Sequence, residues 1–347
     1  MFSKKNILTF SKTVLPLLLG VYLIWFFFSS MSKESLDLFY KAIKEANYFW
    51  IVISMILGVV AYLSRAYRWD YVLKPLGYET KFWNRYHAIM IGYLVNLTIP
   101  RAGEASRSAM LYRSDGVPFS NSFGTIIAER AVDFAMLLGI GFLTAFLGMD
   151  DFWEIKSRIE TEFGGSTAEG GTSIVKYIIY AVILILFLGA GYFVVFKKEF
   201  RKKLMAFAWD VWKGLFSIFR SKNPLGYVLH TLIIWGCYIV MFALPFQSLA
   251  ETQEIHFNGI LLGFCAGALG IAFTNGGVGT YPLLVGLVVA FYLGDENKSD
   301  AQAIGNALGM IIWISQTLLL ILLGLLSLVL LPKNYSKENK DEQTELR

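Results

Sequence analysis

The sequence predicts an all-α polytopic membrane protein, an inverted repeat of three spans plus one re-entrant broken hairpin per half. That makes about six full spans and two re-entrant hairpins. Three observations carry this expectation. Of 347 residues, 56% are hydrophobic and only 16% charged, where soluble domains carry about a quarter. Several apolar runs approach or reach the roughly 20 residues that a bilayer core requires. Two further apolar stretches, 89–99 and 260–273, stop at proline or glycine clusters and are followed by new helical sequence.

Taken in order, Lys4, Lys5 and Lys12 precede the apolar run 14–28. Its long core and the lack of an Ala-x-Ala site favour a retained first span over a signal peptide. Residues 32–47 read as a mixed-charge amphipathic connector and 48–63 as the second span. Arg65, Arg68, Lys74, Lys81 and Arg85 then read as a basic loop. The run 89–99 is too short to cross and breaks at Pro100-Arg101-Ala102-Gly103-Glu104. A second helix is expected there, with Thr98 as cap and Pro100 in the first turn, ending at Gly116. Residues 121–148 form the third span, and 149–173 an acidic, Gly/Ser-rich external loop.

Residues 174–196 span again and lead into Lys197, Lys198, Arg201, Lys202 and Lys203. The segment 197–222, with Trp209 and Trp212, is amphipathic and is expected along the cytoplasmic surface. Residues 227–246 span. The second interruption, Thr274-Asn275-Gly276-Gly277-Val278-Gly279-Thr280, separates 260–273 from 281–293. The last span is 304–331, and 332–347 is a charged cytoplasmic tail expected to be disordered. Residues 1–331 thus read as one transmembrane domain with half-repeats of roughly 13–148 and 174–331.

The repeat is visible as spacing rather than as identity. The same sequence offset separates Pro100 from Gly276 and Gly103 from Gly279, and it carries span onto span. Three crossings per half invert the second half, so the hairpins enter from opposite faces. With both termini cytoplasmic, the basic segments lie inside and the acidic loops outside, as the positive-inside rule asks. Asp115 is then cytoplasmic and Asp295 external, in a cell (inner) membrane.

The charged residues near the breaks define the candidate site. Hinges are expected at Pro100, Gly103 and Gly277. A half-helix starting near Thr98 directs N–H groups and a positive dipole end into the membrane, with Arg101 in its first turn. Two positive sources suggest an anion between them, such as a phosphate. Glu104 and Arg107 are one turn apart. Glu129, Arg130 and Asp133 enter a long apolar helix at roughly 12–18 Å depth, where ionisable groups need partners. They read either as substrate contacts or as an ion-pair network fixing helix register. Asn275, Gly276, Gly277, Gly279 and Thr280 read either as close backbone approach to a headgroup or as close helix packing. Gly263/Gly267 and Gly305/Gly309, at GxxxG spacing, favour the packing reading equally.

Several classes are excluded. The net charge of +5 is modest and lies mostly in particular loops, so nucleic acid is not an expected partner. Cys237 and Cys265 form no CxxC pair, and His87, His230 and His256 lack zinc-ligand spacing. No cofactor motif is present, and no nucleophile accompanies Glu129 or Asp133, so an enzyme is not expected.

The stretch IPRAGEASRSAMLYRSDGVPFSNSFGTIIAERAVD, with NGGVGTYPLLVG far downstream, resembles the transmembrane region of bacterial lysylphosphatidylglycerol synthases. It is also similar to stand-alone flippase-like membrane proteins that share this region. The resemblance covers roughly 14–331 and rests on Pro100, Arg101, Gly103, Glu104, Arg107, Glu129, Arg130 and Asp133. It implies a flippase- or scramblase-like protein moving a membrane lipid or lipid-linked precursor between leaflets. The alternative is a non-transporting accessory protein for a lipid-modifying enzyme or glycosyltransferase. A second copy or a membrane enzyme are the protein partners open to it. The synthases continue into a soluble aminoacyl-transferase domain where this sequence ends at Arg347, so no synthase activity is expected.

Overall fold

The computed structural model describes residues 32–99, 101–148, 223–294 and 298–331, with Tyr22, Trp25 and Ser29. Outside them lie Pro100, the loop 149–173, the span 174–196, the segment 197–222, Asp295 and the tail 332–347. The expected span 14–28 also lies outside, apart from Tyr22 and Trp25. Nine α-helices make up most of the described residues: α1 Lys33–Glu45, α2 Tyr48–Leu73, α3 Phe82–Thr98, α4 Gly103–Asp115, α5 Phe119–Leu147, α6 Pro224–Ala243, α7 Phe257–Phe273, α8 Thr280–Leu293 and α9 Lys298–Leu330. They fall into two compact units, one of Met1–Ile127 with Ser217–Arg347 and one of Ala128–Phe216. The contacts below belong to the first unit unless stated.

Four helical segments are long and apolar enough to cross a bilayer: Tyr48–Leu76, Phe119–Leu147, Pro224–Ser248 and Ser299–Leu330. They coincide with four of the six expected spans. Local signals set their starts. Asn47 accepts from the Phe49 N–H at 3.1 Å, and Asn223 accepts from the Gly226 N–H at 2.9 Å. Each supplies an acceptor to an N–H that the first turn leaves unpaired. The helices so capped, α2 and α6, begin at Tyr48 and Pro224, the same offset that relates the two breaks.

One boundary differs from the sequence expectation. The second span does not stop at residue 63: α2 continues to Leu73 and ends in a 3₁₀ turn closed by Gly77 at φ 83°. No proline or glycine interrupts residues 59–73, so nothing opposes continuation. Arg65 and Arg68 are therefore helical and buried, at 2% and 0% exposure, rather than part of a loop. Arg85 is also buried, at the start of α3.

Helices α2 and α6 pack antiparallel. Ser54 Oγ donates to the Met241 carbonyl at 2.6 Å. Ser64 Oγ lies 2.8 Å from His230 Nδ1, and Arg68 Nη1 donates to Thr231 Oγ1 at 3.3 Å. The core lies between these helices and the second hairpin, with Ile51, Phe242, Phe246, Val285, Val289 and Leu308 in one buried cluster. Helices α8 and α9 meet backbone to backbone. A Cβ added at Gly309 would lie 2.7 Å from the Pro282 carbonyl oxygen, and Gly305 faces the Gly286 carbonyl. The GxxxG spacing of Gly305/Gly309 thus serves close helix packing.

Candidate functional site

Both interruptions fold as helix–break–helix hairpins. In the first, α3 and α4 run antiparallel, and a Cβ at Gly92 would lie 2.8 Å from the Gly103 carbonyl oxygen. The break spans Ile99 to Ala102. Its details correct the expected start of the second helix. Thr98 closes α3, donating from Oγ1 to the Val95 carbonyl at 3.0 Å, and caps nothing that follows. Helix α4 starts at Gly103, and Ala102 occupies the cap position without a side-chain bond. Arg101 precedes the helix instead of sitting in its first turn, at φ 61°, and its side chain is exposed.

Left-handed backbone is unfavourable for a residue with a Cβ, by roughly 1–2 kcal/mol. Among the described non-glycine residues, Arg101 alone adopts it. Gly103 is a buried helical residue whose N–H donates to Asn96 Oδ1 at 2.7 Å. Its lack of a side chain serves the contact with α3, and the turn itself falls on Arg101. Glu104 lies one residue further, partly buried in the first turn. Arg107 is 5% exposed, with Cζ 3.6 Å from the Trp69 ring centroid. At that distance the guanidinium stacks on the indole face. Trp69 is itself fixed, donating from Nε1 to Thr125 Oγ1 at 2.9 Å.

In the second unit, α5 presents Glu129 and Asp133 as buried carboxylates, at 1% and 8% exposure. Arg130 differs from the buried network expected: its side chain is 42% exposed and stands 3.9 Å from Asp133. One helical turn puts Glu129 and Asp133 on a common face, and Arg130, one residue past Glu129, projects about 100° away.

The second hairpin holds α7 and α8 antiparallel, with Gly267 and Gly270 against Tyr281. Its break uses glycine where the first uses arginine: Gly276, Gly277 and Gly279 have φ of 65°, 78° and 75°. Thr280 Oγ1 and Thr274 Oγ1 are 2.6 Å apart, and Thr280 also donates to the Gly270 carbonyl at 2.7 Å. Trp313 Nε1 donates to the Gly276 carbonyl at 2.8 Å. Asn275 opens this turn. The two breaks approach one another: a Cβ at Gly276 would lie 3.0 Å from Leu97 Cδ2, next to the end of α3.

The structure adds a set of side chains that the loop reading missed. Arg65 faces the Tyr238 ring at 6.0 Å and Arg68 the Tyr227 ring at 5.4 Å. Arg85 pairs with Asp70 at 2.7 Å and donates from Nε to the Ala66 carbonyl at 3.0 Å. The signal for Arg65 and Arg68 was the apolar set Tyr62, Ala66, Trp69 and Leu73 at helical spacing, which continues the α2 pattern past residue 63.

Among curated proteins, UPF0104 membrane protein MJ1595 of Methanocaldococcus jannaschii is 28% identical over 125 residues, covering 35% of this chain and 36% of that protein. Glycosyltransferase AglD of Haloferax volcanii is 26% identical over 136 residues, covering 38% of this chain and 21% of that protein. The chain thus spans roughly a third and a fifth of the relatives it matches. No solved structure matches it. The family model described as the lysylphosphatidylglycerol synthase TM region matches residues 13–291. With four membrane-length apolar helices in agreement, the chain is an integral membrane protein and belongs to the lysylphosphatidylglycerol synthase TM region family.

Proposed function

We propose that this protein is a lipid translocase, moving an anionic or phosphate-bearing lipid or lipid-linked precursor between leaflets, and that it performs no chemistry on it. One observation carries the reading: two broken hairpins meet at their breaks between helices that correspond by spacing and run antiparallel. Antiparallel counterparts are what an inverted repeat requires, and paired interrupted helices mark the substrate site in such folds. Tyr48 and Pro224 open counterpart helices, and α3 and α7 end at Thr98 and Phe273, at almost the same offset. In this reading each half contributes three spans and one re-entrant hairpin, the termini are cytoplasmic, and the membrane is the cell membrane.

The site residues divide by role. Arg101 and Arg107 meet an anionic headgroup and the glycine break lets backbone come close to it, while Glu129, Arg130 and Asp133 of the second unit are by themselves candidate lipid contacts. Reconstituted vesicles carrying fluorescent phospholipid in both leaflets test this, with an impermeant quencher reading the outer fraction. Translocation above protein-free vesicles, faster for phosphate-bearing lipid than for neutral glycolipid and slowed by Arg101→Lys, is the expected result. No translocation of either class removes the reading. The AglD match favours the second reading, an accessory protein for a membrane glycosyltransferase. That reading predicts no translocation and co-purification with such an enzyme.

A further inference from the structure

The first break holds a polar group with no counterpart in the second, the carboxamide of Asn96 near the end of α3. Gly103 gives it a seat: a Cβ at that glycine would lie 2.5 Å from Asn96 Cγ and 2.6 Å from Nδ2. The Gly103 N–H then sets its orientation, donating to Asn96 Oδ1 at 2.7 Å. A flipped amide would set one N–H against another, so the bond itself fixes which end faces Gly103. Oδ1 is thereby committed, and the Nδ2 group is held in place as a donor.

That donor has no acceptor in the fold. The bond to Gly103 is the one hydrogen bond that the Asn96 side chain makes among the described residues, and the side chain is half-buried. Asn96 lies roughly 20 Å along α3 from its start at Phe82. In a re-entrant hairpin that depth falls inside a core about 30 Å thick, where water is scarce and an unmet donor is costly.

The neighbouring cation is a second donor without a partner. Arg101 is exposed, and its guanidinium makes no ion pair or hydrogen bond among the described residues. Glu104, in the first turn of α4, pairs with neither Arg101 nor Asn96. Two residues of chain keep the Arg101 Cα within about 8 Å of the Gly103 Cα, a gap that an arginine side chain and one phosphate span together. A guanidinium can only donate, and so can a carboxamide whose oxygen is taken. A phosphate offers two oxygens to the fork of the guanidinium and keeps a third for the amide. A sugar hydroxyl meets the amide alone and leaves the charge of Arg101 uncompensated.

We propose that Asn96 is a headgroup-binding residue, its fixed Nδ2 donating to an oxygen of the lipid phosphate that Arg101 grips. This rests on the translocase reading and adds to it the residue that, beside Arg101, selects phosphate.

Purified full-length protein in nonionic detergent, with lipid retention read by native mass spectrometry, tests it. The probes are phosphatidylglycerol and monoglucosyl diacylglycerol, which carries no phosphate. Asn96→Asp keeps an acceptor for the Gly103 N–H and removes the donor. Asn96→Ala removes both and adds neither charge nor bulk, so it separates a lost donor from added repulsion. Wild type is expected to retain phosphatidylglycerol in preference. Each variant is expected to weaken that retention about tenfold, the size of one lost bond to a charged group, and to leave the glucolipid unchanged. Thermal unfolding should show Asn96→Asp near the wild-type midpoint and Asn96→Ala below it. A purely structural asparagine predicts otherwise, with Asn96→Asp binding as wild type does. Full phosphatidylglycerol retention by either variant therefore overturns the contact. Equal retention of the two lipids by wild type, or equal loss of both in the variants, overturns the phosphate assignment.

Millimolar inorganic phosphate in place of lipid forms the second arm. No shift of the wild-type unfolding midpoint is expected, and an Asn96-dependent rise assigns the site to free phosphate and overturns the lipid assignment. Binding is read without movement, so the two readings fail separately. Asn96-dependent retention in a protein that moves no lipid keeps the contact and removes the translocase. Movement with retention independent of Asn96 removes the contact alone.

Discussion

The two hairpins make the same turn with opposite materials. At the first break the left-handed position is taken by Arg101, and the turn is held by Asn96 reaching across to the Gly103 N–H at 2.7 Å. At the second, three glycines take left-handed positions, and two threonine hydroxyls and Trp313 tie the backbone down. The first break tolerates strain to place a guanidinium where glycine would be easier, while the second carries no charge between Thr274 and Thr280. Strained non-glycine backbone persists where its surroundings hold it and tends to collect at functional sites. Under the proposed function, the first hairpin would supply charge recognition and the second close backbone approach.

The largest expected effects probe what the hairpins share. Each brings its arms together over a glycine: Gly103 against the Gly92 carbonyl, and Gly270 with a potential Cβ 2.8 Å from Tyr281 Cα. Gly103→Leu and Gly270→Leu should each cost about 3 kcal/mol or more, since backbone rather than a movable side chain is in the way. Thermal unfolding in detergent would read this, and a wild-type midpoint for either variant would show that its arms are not in contact.

The next effect separates the hairpins by sign. Gly276→Ala and Gly277→Ala should each destabilise by about 1–2 kcal/mol, because alanine resists the left-handed region. Arg101→Gly should leave stability within about 1 kcal/mol of wild type or raise it, the relieved strain offsetting the added freedom of the unfolded chain. It should nevertheless slow lipid movement in vesicles. If Arg101→Gly is as destabilising as Gly276→Ala, the arginine is a structural part of the turn and the contrast fails.

Smaller effects sharpen the charge assignment. Arg107→Met should lose about 1–2 kcal/mol with the cation–π stack on Trp69. Trp69→Phe keeps a ring face but loses the bond to Thr125, and should lose about 1 kcal/mol from that bond. Thr280→Val, at the uncharged break, should also cost about 1 kcal/mol and spare the preference for phosphate-bearing lipid. Urea or thermal midpoints rank all three, and a shift in lipid preference from Thr280→Val would move charge selection to the wrong hairpin.

Much of this architecture was legible because hydrophobic runs and their breaks are written directly in the sequence. The spans 48–63, 121–148, 227–246 and 304–331 all contain or overlap long apolar helices, and both interruptions fall where the chain turns. What misled was charge. Arg65 and Arg68 read as the end of a span because hydropathy counts charges and ignores continuity of the helical pattern. Their guanidinium groups face aromatic rings of α6, a helix far along the chain that local sequence cannot report. The start of α4 was misplaced by proline statistics, since Thr98 bonds backward to Val95 and the N–H of Gly103 is satisfied by Asn96. The left-handed Arg101 left no trace in composition, because only the tertiary contacts of the hairpin impose it.

The central claim is that the hairpins enter from opposite faces of the membrane. Glu79, just before α3, and Glu254, just before α7, are both exposed and stand at the open ends of the two hairpins. Replacing the native Cys237 and Cys265 with serine allows a single cysteine to be introduced as Glu79→Cys or Glu254→Cys. Labelling intact cells with an impermeant maleimide, before and after permeabilisation, reads the side on which each lies. The inverted arrangement predicts that Glu254→Cys labels in intact cells and that Glu79→Cys labels only after permeabilisation. Labelling of both from the same side would contradict it.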